Sequence, residues 1–311
     1  MKRAHLTILI LCLLWALVGC PCKKKSPTQP PRGNDPAAGR VEEEPDWSPD
    51  GQTIAFVHCA NFSVQGDSIS GIYFVDSDGS NRRLFFRCAW ETAGVYRGLI
   101  YDPRWSPDGQ WLVFSMGAQI WKVKVNGDSL TQLTTEGRNF YPDWSPGGTK
   151  IAYDAELDTG MTSIFVMDAN GSNKSRLIGA RQPSWSPDGA KIIYQGWTSG
   201  TSSSEIFIMD ADGQNPRNLT NELIGNDGVP EMSPDGSKII FERQMMDNTE
   251  LYPRVWVMDA DGSNQRKLSE GAAEGPSWSP DSKKIVFMNL LVDGKLWTMD
   301  PDGSDKKPLT P

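Results

Sequence analysis

The residues able to do chemistry are few. Of two histidines, His5 lies in an apolar leader, which leaves His58 as the one imidazole of an exported chain. A single imidazole argues against a multi-histidine metal centre. No G-x-S-x-G run occurs either, so a Ser–His–Asp hydrolase lacks both its nucleophile elbow and a spare base. Carboxylates abound, and many recur at fixed intervals in runs such as Asp259-Ala260-Asp261-Gly262-Ser263-Asn264. Such a run invites a calcium reading. An EF-hand loop places oxygens at positions 1, 3 and 5, glycine at 6 and glutamate at 12. Here Gly262 is fourth from Asp259, which is the spacing of a tight turn. A glycosidase-type carboxylate pair on the longer loops stays open. The sequence therefore nominates no catalytic residue, no metal ligand and no cofactor.

The first stretch of the chain is not part of a fold. A basic Met1-Lys2-Arg3 precedes the apolar run Leu6–Val18, shorter than the roughly 20 residues that span a bilayer. Leu17-Val18-Gly19-Cys20 follows and resembles a bacterial lipobox. That resemblance implies cleavage before Cys20 and lipidation of Cys20, with residues 1–19 as signal peptide. Acyl chains would anchor the protein stably. Pro21 at the next position favours the outer membrane over the inner one. Residues 20–44 are rich in Pro, Lys, Gly and Glu without apolar period, and read as a disordered tether.

From residue 45 one phrase recurs six times: PDWSPDG, PRWSPDG, PDWSPGG, PSWSPDG, PEMSPDG and PSWSPDS, at intervals of 58, 39, 41, 47 and 46 residues. A second phrase follows each, as in Ile206-Phe-Ile-Met-Asp-Ala-Asp-Gly213. A period near 40–45 with tight turns and short apolar runs predicts a β-propeller. The expected fold is all-β: six blades, each a four-stranded antiparallel sheet, over 45–311. In Ser186-Pro187-Asp188-Gly189, proline fixes the second turn position and glycine supplies the left-handed fourth. Asp210 to Gly213 repeats that logic, and Asn126-Gly127 in blade two reads as a hairpin pair of another type. Ile206 and Ile208 face one way and Phe207 and Met209 the other, as expected of strands buried on both faces between neighbouring blades. Trp47, Trp105, Trp144, Trp185 and Trp278 would fill the gaps between blades, with Met232 a softer filler in blade five.

The pattern P-x-W-S-P-D-G … I-W-x-M-D-x-D-G … L-T resembles the propeller repeat of TolB and the wider TolB-like group. The resemblance covers about residues 45–311 and implies the propeller fold and a place in envelope protein recognition. TolB also carries an N-terminal α/β domain and no lipid, whereas a short tether stands there in this chain. Related repeats occur in peptidases and lyases, so the resemblance specifies fold more sharply than function.

In a four-stranded meander the SPDG and DADG turns share one face, and the irregular connections share the other. Variable loops are where binding specificity resides. Trp90, Tyr96, Arg97, Trp197, Met245, Tyr252 and Arg254 are of the types that anchor interfaces and fall on that second face. Cys59 ends a strand and Cys88 follows another toward the same face, which makes a disulfide between them an expectation in an oxidising compartment. Formal charge is −8, and loss of Lys2 and Arg3 with a leader takes it to −10. That balance argues against nucleic acid and against membrane contact beyond a lipid anchor. The sequence thus points to a monomeric, periplasmic-side, lipid-anchored propeller that recognises another envelope protein. Binding of carbohydrate or peptidoglycan fragments, and a carboxylate-based hydrolase or lyase, are the alternatives.

Overall fold

The computed structural model describes residues 40–60, 71–87, 100–156, 160–221, 225–245, 252–290, 292 and 294–310. They form six four-stranded antiparallel sheets, each a simple meander in chain order. Blade one consists of Arg40–Trp47, Thr53–Ala60, Gly71–Asp76 and Arg83–Arg87. The other five occupy residues 100–132, 138–178, 181–218, 225–267 and 273–308. The first strand of each blade touches the first strands of both neighbours, so these six surround a common axis. The ring closes by face packing of blade one on blade six, without exchange of a strand between the termini. Residues 40–43, read from the sequence as the end of the tether, pair in register with the second strand, Val41 opposite Cys59 and Glu43 opposite Val57.

Six apolar clusters hold the sheets together, one per seam. Trp105 joins Ala55, Phe74, Leu112 and Phe114 between blades one and two and stacks on Phe74 at 5.1 Å. Trp144, Trp185, Trp278 and Trp47 occupy the corresponding positions in four other seams, and Met232 stands in the sixth. Ile206 and Ile208 pack into the seam toward blade five, while Phe207 and Met209 pack toward blade three. The double-sided apolar pattern is thus explained by blades stacked face to face.

The repeated turn letters are satisfied locally. Ser186 Oγ donates to Asp188 Oδ1 at 2.6 Å and accepts from Lys191 N–H at 2.9 Å, and Gly189 sits at φ 70°. In the second turn Gly213 N–H donates to Asp210 C=O at 2.9 Å, and Asn215 Nδ2 donates to the Asp210 carboxylate at 2.6 Å. Asn126-Gly127 is not a different hairpin as expected. Gly127 N–H donates to Lys124 C=O at 2.8 Å with φ 88°, the geometry of Gly213. Glycine is required there by contact as well as by φ. A Cβ on Gly79 would lie 1.9 Å from Leu309 C=O, and one on Gly262 would lie 2.6 Å from Leu219 C=O. The second turn of each of these blades therefore rests on the leucine that follows the fourth strand of the preceding blade.

Candidate recognition face and axial channel

The first strands all break register at the residue before their proline. That residue is left-handed in all six: Glu44, Asp102, Tyr141, Gln182, Val229 and Gly275 have φ between 49° and 58°. A residue before proline ordinarily prefers extended backbone, and left-handed Val is strained. The distortion is a bulge, tolerated because proline offers no N–H to a ladder and the strand edge faces the axis.

Each bulge frees an N–H, and in five blades a side chain of the preceding blade accepts it. Glu44 Oε2 takes Asp102 N–H (2.5 Å), Asp102 Oδ2 takes Tyr141 N–H (3.2 Å) and Asp154 Oδ2 takes Gln182 N–H (3.3 Å). Gln182 Oε1 takes Val229 N–H (2.8 Å) and Glu242 Oε1 takes Gly275 N–H (2.6 Å). Burial pushes these acids up: Asp102 and Asp154 to about 7, and Glu242 to about 8 with help from the neighbouring Glu274.

Two residues further along, between the proline and the indole (Met232 in blade five), lies a second ring that sequence reasoning passed over. Blades one, three and five supply Asp46, Asp143 and Glu231; blades two, four and six supply Arg104, Ser184 and Ser277. Each carboxylate accepts the backbone N–H of the Trp in the next blade: Asp46 from Trp105 at 2.7 Å, Asp143 from Trp185 at 2.7 Å and Glu231 from Trp278 at 2.8 Å. Arg104 spans the bore, donating to Asp46 Oδ1 at 3.2 Å and to Glu231 Oε2 on the opposite blade at 3.0 Å. Burial works against the guanidinium charge, yet Asp46, Glu231 and Asp143 overcome it and hold Arg104 above its ordinary range. Burial likewise raises Asp46, lifts Asp143 to about 6 and lifts Glu231 to about 7, each partly offset by Arg104. The signal was present in the sequence, since the letter between Pro and Trp varies in charge while its neighbours repeat.

The face opposite the turns carries exposed aromatic surface. Trp197 ends the second strand of blade four, 45% exposed, with Arg181 5.7 Å over its ring. Arg138 lies 5.7 Å over Phe140, and Phe140 meets Tyr101 edge-on at 6.4 Å. Tyr252 is 48% exposed and Met245 is half-buried at the end of its strand. Arg254 differs from the expectation of a presented anchor: it is buried and donates to the carbonyls of Tyr252 and Pro253, fixing the loop. Trp90, Tyr96, Arg97, Cys20 and Cys88 lie outside the described residues, and of Cys59 only its strand position is described. His58 is buried edge-on against Tyr73 at 5.2 Å, a packing role. Among the described residues no acidic, histidine or cysteine group is arranged to hold a metal ion. The turn aspartates are engaged by Asn, Ser and Lys donors, as at Asp259 and Asp168.

The TolB beta propeller domain matches residues 73–311. The chain belongs to the TolB beta-propeller family. Within it, the chain is 33% identical over 147 residues to an uncharacterised protein of Agrobacterium fabrum, covering 42% of this chain and 44% of that one. It is 27% identical over 120 residues to the Tol-Pal system protein TolB of Desulfosudis oleivorans, covering 37% of this chain and 25% of that one. These matches span less than half of each curated relative's length. A solved structure assigned as TolB from Agrobacterium tumefaciens superposes with TM-score 0.63 at 25% identity, over 78% of this chain and 87% of the other.

Proposed function

We propose that this TolB-family propeller is a lipid-anchored recognition module of the cell envelope, tethered through Cys20, that binds a protein partner with the face opposite its turns. The observation that carries the reading is the chemical asymmetry of the two faces. On the turn face, hydroxyls, carboxylates and amides bond one another within each turn. On the other face, Trp197 and Tyr252 are presented to solvent and Arg181 and Arg138 lie on aromatic rings. Aromatic and arginine side chains of this kind anchor protein interfaces. The similarity to a Tol-Pal system protein supports an envelope partner. Leader, anchor and outer-membrane residence rest on the lipobox resemblance, and a Cys59–Cys88 bridge would tie down the same face.

The test is site-specific photo-crosslinking in cells from positions 197 and 252, with position 188 on the turn face as control, followed by mass spectrometry. A single envelope protein captured from 197 and 252 and not from 188 is the expected result. Capture of glycan fragments instead would favour the carbohydrate reading, and equal capture from all three positions would overturn the assignment of the face.

A further inference from the structure

The charged ring between proline and indole is unevenly neutralised, and the uneven part borders a cavity. Asp46 and Glu231 share Arg104, whereas among the described residues no side-chain hydrogen bond reaches Asp143, whose Oδ2 accepts from the backbone N–H of Trp185. Beside Asp143 stands Ser184, 8% exposed, whose hydroxyl forms no hydrogen bond among the described residues. Both line a cavity of about 160 Å³ together with Asp46, Arg104, Glu231, Trp144, Trp185, Pro146 and Pro187. That is roughly tenfold the ~15 Å³ a single water needs. Pro146 and Pro187 belong to exposed turns, so the cavity reaches the turn face, away from the recognition surface proposed above.

We infer that this cavity is a binding site for a primary alkylammonium group, with Asp143 and Ser184 taking the charged end and the indole and proline walls taking the methylene stem. The ring carries three carboxylates against one guanidinium, so it favours a second cation. The donor set favours an organic cation over a metal ion: the acids are not arranged around one coordination point, and half of the wall is apolar. Indole rings add cation–π attraction for an ammonium. An anion is disfavoured because the one guanidinium is already held by two carboxylates. Asp46, Asp143 and Glu231 are the acids facing the site, Arg104 is its one base, and Ser184 and Ser277 are neutral hydroxyls. Since burial raises the acids, Asp143 to about 6 and Glu231 to about 7, the site gains negative charge as pH rises from 5.5 to 8.

Calorimetric titration of the protein with n-butylammonium chloride, 1,5-diaminopentane and Nα-acetyl-lysine amide tests this, with n-butanol and calcium chloride as controls. Saturable binding of the amines at pH 8, about tenfold weaker at pH 5.5, and no binding of butanol is the expected result. Asp143→Asn keeps an acceptor for Trp185 N–H and should lose affinity at least about tenfold with an unchanged thermal melt, whereas Ser184→Ala should lose a few-fold. Tighter binding of the lysine amide would mark a lysine side chain as the natural source of the ammonium, and tighter binding of the diamine a free polyamine. No saturable amine binding up to about 10 mM would overturn the inference. So would equal binding by a folded Asp143→Asn protein, or calcium binding in place of amine binding.

Discussion

Glu42 is the clasp of the ring, and its removal gives the sharpest test of how the propeller closes. In blades two, four and five a buried amide near the start of the third strand is capped from within the blade: Ile120 N–H by Thr134 Oγ1, Ile206 N–H by Thr220 Oγ1 and Val255 N–H by Ser269 Oγ. In blade six the equivalent amide, Leu296 N–H, donates instead to Glu42 Oε2 of blade one at 3.3 Å. Thr310 Oγ1 donates to the same oxygen, Arg82 Nε donates to Glu42 Oε1 at 3.1 Å, and Glu42 N–H donates to Gly294 C=O at 3.0 Å. Glu42→Ala would strand Leu296 N–H and the Thr310 hydroxyl, both buried. Each orphaned group costs about 1–3 kcal/mol. The Arg82 contact adds little, since Arg82 is a third exposed. We expect a loss of about 3–5 kcal/mol in urea unfolding, and about 1–2 kcal/mol for Glu42→Gln, which keeps one acceptor. Hydrogen exchange supplies the local readout. In Glu42→Ala the Leu296 amide should exchange far faster while Ile206 keeps its protection, because only the seam between blades one and six has lost its clasp. Stability within about 0.5 kcal/mol of the parent, or parallel changes at Leu296 and Ile206, would refute closure through this residue.

Three further outcomes follow from the same geometry. Trp278, 3% exposed in the seam between blades five and six, should cost about 3–5 kcal/mol on replacement by alanine, measured by urea unfolding. Arg104→Ala leaves Asp46 and Glu231 unpaired in the bore; the expected cost is about 3–5 kcal/mol at pH 8 and clearly less at pH 5.5, where Glu231, raised to about 7 by burial, is protonated, and an equal cost at both values would contradict the ion pair. Folded-state values of about 7 to 8 at Asp102, Asp154, Glu231 and Glu242 lie above the ordinary carboxylate range, so their stabilising contribution is full below about pH 4 and lost as pH rises through 7 to 8. The turn aspartates such as Asp50 and Asp188 shift the other way, lowered first by their serine partners, and lose their contribution in acid. The melting temperature should therefore peak near pH 5 and fall by about 5 °C or more toward pH 8.5, with Glu242→Gln flattening the upper limb; a melting temperature constant over that range would count against buried acids in the bore.

The parts of this molecule that were legible in the sequence are those whose physics is local or is repeated in every blade. A serine that bonds an aspartate two residues on, and a glycine that must be left-handed, leave the same letters wherever the turn recurs. Indoles in the seams are legible for the same reason, because each seam is the same gap. The candidate face was legible only as composition. Trp197 and Tyr252 are exposed as their types suggested, but Arg254 is spent on the carbonyls of its own loop, and nothing in the letters distinguishes a presented arginine from one that fixes its neighbours. The bore was hidden by backbone conformation. Strict alternation along a strand assigns faces from sequence, yet the left-handed residue before each proline inserts a bulge and reverses the alternation between Glu44 and Asp46 and at the five equivalent places.

That reversal explains why acids populate the innermost strands of a ring with so little solvent. Every bulge creates an N–H that no ladder can pair, and a buried N–H left unpaired would cost more than a buried acceptor whose charge can be quenched by a proton. An aspartate, glutamate or glutamine on the preceding blade meets that need, and whether it comes from the first strand, as Glu44, Asp102 and Gln182 do, or from the second, as Asp154 and Glu242 do, makes no difference to the amide it caps. The capping position is therefore free to move between strands from blade to blade. A repeat defined by its letters loses sight of it, although the hydrogen bond it makes recurs in five of these blades.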